Sequence, residues 1–273
     1  MLEVENVTFS YSDKSHPVFK DISLSLSEGN IYGLLGKNGM GKSTLLYLMS
    51  GLLRPQKGRV EFLGKPVVRH NSLVLQELYI VPEEFDFPQL NLEQIVAMHA
   101  DFYPHFSKEV FLQCLSDLDL KSNSKLKNLS MGQKKKVKVS LALASGASLL
   151  LMDEPTNGLD ISSKSLFRKA IATYLGEQST LIIATHQVHD VESMLEHLII
   201  LDEGKVLMNE AVGDLTKKYC FSFSQAQEKY SDAIYSEPSL QGNAVIRKRT
   251  PQDEETALNL ELLFNAVTKG LIK

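Results

Sequence analysis

At 273 residues, the chain can hold one large core, or one core with a small appendage, and its 43% hydrophobic and 23% charged content is ordinary for a globular protein. A formal net charge of −4 argues against a surface that is basic throughout, so no nucleic-acid partner is expected. Met1-Leu2-Glu3-Val4-Glu5 opens directly into a strand pattern without the parts of a signal peptide, and no apolar run reaches the roughly 18 residues that would span a bilayer unaided.

Residues 1–32 read as β-strands. Val4, Val7 and Phe9 are the apolar positions of the first, and Ile22, Leu24 and Leu26 alternate with Asp21, Ser23, Ser25 and Ser27 in the second. Such alternation suits antiparallel strands with one wet face. Between them, Ser10-Tyr11-Ser12-Asp13 reads as an exposed turn, where the Tyr11 ring can either pack beside its strand or stack on a base. The apolar run Ile31-Tyr32-Gly33-Leu34-Leu35 then feeds Gly36-Lys37-Asn38-Gly39-Met40-Gly41-Lys42-Ser43-Thr44. This stretch fits G-x-x-x-x-G-K-[ST] and is followed by the helical pattern Thr44–Met49. A strand end meeting a helix N-terminus offers free N–H groups and the positive end of a dipole to an anion. Lys42 is expected to reach the β- and γ-phosphates of a nucleotide, and the Ser43 hydroxyl to ligate Mg²⁺.

Beyond the loop helix, 54–58 is a turn into the strand Val60–Leu63, and Leu78–Val81 is a buried strand stopped by Pro82. The period then changes. Leu92, Ile95, Val96 and His99 mark one helix, and Val110, Phe111, Cys114, Leu115 and Leu118 a second, separated by Tyr103-Pro104. Asn128 or Ser130 caps a third that runs through Ala144. Its Lys134-Lys135-Lys136-Val137-Lys138 run reads as a solvated cationic face. Leu149–Met152 is apolar throughout, as in a parallel strand covered on both faces, and ends in Asp153-Glu154. Acids at that end of a strand lie where open α/β sheets bind ligands, and beside a phosphate loop Asp153 is the expected Mg²⁺ partner. Strands at 180–184, 198–201 and 206–208 follow, the first ending at Thr185-His186. Past Gly213 come strand-like runs at 220–223 and 244–247 and a helix expected from Glu255 to Thr268, an α+β appendage. Cys114 and Cys220 are expected to be buried thiols, and His186 with His189 lacks the companions of a zinc site.

Over about residues 1–210 the chain resembles the ATP-binding subunit of ABC transporters. Gly36 to Thr44 is similar to Walker A, Leu129-Ser130-Met131-Gly132-Gln133 to the LSGGQ signature with Met for one Gly, and Asp153-Glu154 to Walker B with its catalytic glutamate. Gly158-Leu159-Asp160 resembles the D-loop, His186 the switch histidine, and Tyr11 sits where the family stacks adenine. One departure is visible: the family commonly has Gln after the strand near residue 82, where this chain has Glu83-Glu84, with Gln89 also near. Glu83 is the equivalent by position, and a carboxylate there can orient water or ligate Mg²⁺.

The resemblance implies an α/β phosphate-loop ATPase core with an antiparallel β subdomain, over residues 1–213. A helical insert lobe lies at about 85–145, and a small α+β appendage at 214–273. It implies MgATP held by Tyr11, Gly36, Asn38, Gly39, Gly41, Lys42, Ser43 and Thr44, with Ser43, Asp153 and Glu83 at the metal and Glu154, His186 and Glu83 serving hydrolysis. Ser130, Gly132, Gln133 and Asp160 would serve from across an interface with a second ATP-binding subunit. The implied partners also include transmembrane permease subunits, holding the chain on the cytoplasmic face of the membrane, with export favoured over import. The alternative is a soluble ATPase of the same type acting on a macromolecular complex. Such proteins carry two cassettes or a long coiled-coil insert, and neither is present.

Overall fold

The computed structural model describes residues 1–12, 16–68, 71–121, 125–224, 232–240 and 242–272; of the Ser10–Asp13 turn, Asp13 therefore lies outside the described residues. Strands β1 (Leu2–Phe9) and β2 (Phe19–Leu26) pair antiparallel, as their alternation requires, and join β4 (Lys57–Phe62) and β5 (Lys65–Pro66) in the order β2-β1-β4-β5. In β2 the alternation is realised residue by residue: Ile22, Leu24 and Leu26 are buried while Ser23 and Ser25 face solvent.

Strand β3 (Ile31–Leu35) leaves that layer. It lies inside a second sheet with β6 (Leu78–Val81), β7 (Leu149–Asp153), β8 (Thr180–Thr185), β9 (His197–Asp202) and β10 (Lys205–Ala211), in the order β10-β9-β3-β8-β7-β6. Five strands run parallel and only the edge strand β10 is antiparallel. The pleat divides the apolar strands between two cores. Leu149, Leu151, Ile182, Ala184, Ile199 and Leu201 face the antiparallel sheet and helix α1 (Lys42–Met49). Leu150, Met152, Leu181, Ile183, Leu198 and Ile200 face the opposite side. Continuous burial on both faces is why these strands carry no polar alternation.

That opposite side is covered by the helical lobe and the appendage. After the short α2 (Ser72–Leu75), the lobe comprises α3 (Leu92–Phe102), α4 (Lys108–Asp117) and α5 (Met131–Ala144); α6 (Ile161–Tyr174) returns the chain to β8. Asn91 and Gln94 form a reciprocal cap on α3, as Ser130 and Gln133 do on α5, satisfying backbone donors that a helix start leaves open. Of the two candidate caps on α5, Ser130 holds the position.

The appendage departs from expectation in three respects. The boundary at 213/214 falls inside a helix, α7 (Val212–Lys218), so no linker separates the two parts. The small sheet, β11 (Tyr219–Ser224), β12 (Ala233–Ser239) and β13 (Gly242–Lys248) in the order β11-β13-β12, has a strand that the periodicity did not reveal. The last helix, α8 (Leu260–Thr268), begins at Leu260 and not at Glu255, because Asn259 caps it and the residues before it are bonded sideways. Glu255 accepts from the Thr216 hydroxyl and Thr256 Oγ1 from the Phe221 amide. Leu260, Leu263 and Ala266 belong to the same apolar cluster as Leu198 and Ile200. Cys114 and Cys220 are buried free thiols.

Candidate functional site

Parallel strands deliver their carboxyl ends to one edge of the sheet, and four adjacent strands carry the residues singled out from the sequence. In spatial order, β3 leads into 36–41, β8 into His186, β7 into Glu154 and β6, one residue after its stop at Pro82, into Glu83. A cavity of about 370 Å³ opens there, and Asn38, Gly39, Gly41, Lys42, Ser43 and Thr44 line one side of it.

The loop glycine Gly41 is required on two counts. It adopts φ 97°, in the left-handed region, and a Cβ on it would lie 2.7 Å from the Phe19 ring. Gly36 is closed off differently, since its Cβ would meet the Leu201 carbonyl at 2.7 Å. The loop can therefore pass close to the sheet and present its backbone. The buried Lys42 ammonium is held by the Gly36 carbonyl at 2.8 Å and lies 3.8 Å from Glu154 Oε1. Burial lowers its pKa, against the pull of the Glu154, Asp153 and Glu83 carboxylates. Tyr11 faces the loop from the antiparallel sheet. Its hydroxyl is 2.9 Å from Thr44 Oγ1 and its ring is edge-on to Phe9, leaving it 62% exposed with an open face.

Opposite lie the acids. Asp153 is 1% exposed, and among the described residues neither of its carboxylate oxygens has a hydrogen-bond partner. Burial raises its pKa; the Ser43 hydroxyl beside it offsets this in part without closing a bond. A buried carboxylate left without donors, facing a serine hydroxyl, is the donor set a hard divalent cation takes up, so Mg²⁺ fits these residues. Glu154, by contrast, is fully engaged. Its Oε1 accepts from the His186 amide at 3.0 Å and sits 2.7 Å from His186 Nδ1, while Oε2 accepts from the Thr185 hydroxyl at 2.9 Å. Its backbone holds φ 45°, uncommon for a residue with a side chain.

Glu83 borders the same cavity and accepts from Asn157 Nδ2 at 3.0 Å. Gln89 lies elsewhere, exposed on a separate groove of about 580 Å³ lined by Phe87, Pro88, Leu90 and Leu126. Ser130, Gly132, Gln133 and Asp160 do not line the cavity beside Lys42. Gln133 is committed to the cap of α5, and Asp160 caps α6 by accepting from the Ser163 amide and the Ser162 hydroxyl, which pushes its pKa down to about 2. Gly132 and the Gly158-Leu159 loop are neighbours, the position of a Gly132 Cβ being 3.4 Å from the Gly158 carbonyl.

The lysine run on α5 is not the solvated face its composition suggested. Lys135 is 4% exposed, and Lys138 lies over the rings of Phe85 and Phe87 at 5.4 and 5.6 Å. The sequence carried a signal for the first: Lys135 stands one turn before Val139, on the apolar side of the helix. Asn157, Thr185 and Val18 were also missed at the site. They touch it through single contacts that no spacing announces.

Comparison with known proteins places this geometry. The family profile described as ABC transporter matches residues 19–157, half of the chain. Nod factor export ATP-binding protein I of Rhizobium meliloti (strain 1021) is 30% identical over 212 residues, covering 74% of this chain and 62% of that protein. The match thus spans under two thirds of that relative's length. Among solved structures, a bacterial ABC transporter cassette in dimeric form is 26% identical, with a TM-score of 0.68 over 77% of this chain and 98% of that one. A cassette of Clostridium perfringens that is part of an ABC transporter complex is 27% identical, with a TM-score of 0.62 over 77% and 88%.

Proposed function

This chain belongs to the ABC transporter family as an ATP-binding subunit, and we propose that it hydrolyses MgATP at an interface with a second such subunit to drive export through membrane-spanning partners. The observation that carries the reading is the Glu154 carboxylate, buried, oriented by three donors and 3.8 Å from the Lys42 ammonium. A carboxylate so fixed at the edge of a phosphate-binding cavity is placed to polarise an attacking water.

The adenine stacks on the open face of Tyr11, and the backbone amides of 39–44 at the start of α1 receive the phosphates. Lys42 exchanges its Gly36 carbonyl for the β/γ-phosphate oxygens, which makes its present bond a resting position. Mg²⁺, when bound, supplies charge neutralisation to the β- and γ-phosphates, and Ser43, Asp153 and Glu83 are the residues that would hold it. Glu154 takes the proton of the water, and His186, hydrogen-bonded to it, steadies the γ-phosphate. Ser130 and Gly132, at a helix start and away from this chain's own cavity, are presented to the nucleotide of the other subunit.

Export is favoured by the similarity to the Rhizobium protein, which is named for Nod factor export. No helix among the described residues is long and apolar enough to cross a membrane, so transport needs partners, and the reading places this subunit against the inner face of the membrane through them.

Glu154→Gln tests the central claim. The amide keeps the shape but cannot accept the water's proton, so turnover should fall by a factor of about 10² or more while ATP still binds. Turnover at the wild-type rate would remove Glu154 from this role.

A further inference from the structure

Lys135 occupies a place that the proposed mechanism does not use. It is the fifth residue of α5, is 4% exposed, and has no solvent to hydrate its charge. Its ammonium donates to two main-chain oxygens, the Glu154 carbonyl at 2.9 Å and the Asn157 carbonyl at 2.9 Å. Those carbonyls bound a tight turn, in which the Asn157 amide also returns to the Glu154 carbonyl at 3.2 Å. Each end of the turn carries a residue whose side chain reaches the cavity's acids. At one end Glu154 is itself an acid of the cavity; at the other Asn157 holds Glu83 Oε1 at 3.0 Å.

The Glu154 backbone makes this contact consequential. Its φ of 45° lies where residues with a Cβ are rarely found, and such a conformation persists only when its surroundings determine it. The amide side of Glu154 is held by the Ala184 carbonyl across the sheet. The carbonyl side is held by Lys135. With both peptide groups fixed, the Cα–Cβ direction is fixed, and the carboxylate points at His186, Thr185 and Lys42. Burial lowers the Lys135 pKa and the Glu83, Glu154 and Asp153 carboxylates raise it, so the group sits in the field of the site although it contacts none of them directly.

We propose that Lys135 is a positioning residue for ATP hydrolysis: from the helix that begins with the signature, it pins the 154–157 turn and thereby aims Glu154, and through Asn157 also Glu83, into the nucleotide cavity. The inference rests on the reading of Glu154 as the residue that polarises water. It also makes α5 answer to two sites. The start of the helix serves the partner's nucleotide, while its second turn sets the geometry of its own.

The test is steady-state ATPase activity and nucleotide affinity of the full chain carrying Lys135→Met, Lys135→Gln or Lys135→Arg, alone and combined with Glu154→Gln. Lys135→Met should lower kcat about tenfold or more, with KM and ATP affinity within about twofold of wild type. Lys135→Arg, which keeps a cationic donor, should recover most of the loss. In the Glu154→Gln background Lys135→Met should cost no more than about threefold further, because the Glu154 carboxylate is no longer there to be aimed and only the Asn157–Glu83 contact remains to be lost. Should Lys135→Met fail to fold, Lys135→Gln keeps one donor for the turn and carries the same comparison. An unchanged kcat, a loss expressed in KM, no recovery with Arg, or a full further loss on top of Glu154→Gln would overturn the proposal. Wild-type turnover in Glu154→Gln alone would instead remove the reading beneath it.

Discussion

Asp153 shows how a residue can be costly to the fold and necessary to the function. Its carboxylate is buried without a hydrogen-bond donor among the described residues, and its pKa is raised above the ordinary value, chiefly by burial. The linkage has a definite sign. A carboxyl whose pKa is higher in the folded state binds its proton more tightly there, so the nucleotide-free protein loses stability as pH rises through that raised value. Asp153→Asn removes the unpaired charge and should stabilise the nucleotide-free protein at pH 7, by an amount on the order of 1 kcal/mol. The gain should shrink as the pH is lowered and the native carboxyl takes up its proton. Denaturant unfolding at several pH values measures this, and a variant less stable at pH 7, or a gain independent of pH, contradicts it. The same substitution should abolish Mg²⁺-supported hydrolysis. At this scale the sequence was legible where chemistry demands a residue type at a fixed spacing, as at Gly41, Lys42 and Asp153-Glu154. At Lys135 it signalled burial but not a role, and at Asn157 neither, because those roles are set by where a helix and a turn meet.

Among the elements, the alternation of β2 and the unbroken apolar runs of β7 and β8 could be read directly, because burial on one face or two leaves different patterns. Strand β12 could not, since Ser236, Glu237, Pro238 and Ser239 give it the composition of a loop while pairing with β13 makes it a strand. The start of α8 was misplaced for a related reason: Glu255 and Thr256 suit a helix locally, but their side chains are drawn to Thr216 and Phe221. The segment joining β6 to α3 has a sharper reading. Phe85 and Phe87 pack edge-on at 5.5 Å under Lys138, which fixes the path of the chain just beyond Glu83. Beside them Pro88 and Leu90 join Phe87 in lining the groove of about 580 Å³, and under the proposed function we assign this groove to a short helix of the membrane partner. Phe87→Ala should leave basal ATPase within about twofold of wild type while lowering transport or complex formation severalfold. Reconstitution with the partner subunits reads both quantities. Undiminished assembly and transport would place the docking surface elsewhere.

For the whole molecule, the decisive feature is a separation. The cavity gathers Tyr11, the phosphate loop, Asp153, Glu154 and Glu83, but not Ser130, Gly132 or Asp160. Those three lie at the starts of α5 and α6, where Gly132 adjoins the Gly158-Leu159 loop. The same region exposes two apolar side chains, Met131 at 51% and Ile161 at 89%, each the first residue of its helix. A first helical turn has free backbone donors, and exposed apolar groups beside them gain by being covered. A second subunit that brings its phosphates to these helix starts would meet both needs at once. Substituting Ile161→Asp places a charge in that contact and leaves the cavity's lining residues unchanged. Glu154→Gln should let the pair close on ATP without hydrolysing it and so accumulate an ATP-dependent dimer, and Ile161→Asp added to it should prevent that dimer. ATP affinity of the monomer should stay within about threefold, because no cavity residue is altered. Light scattering with and without ATP separates the outcomes. A dimer of undiminished stability would mean that these helix starts do not face the partner, whereas loss of nucleotide affinity in the monomer would mean that the charge had disturbed the fold.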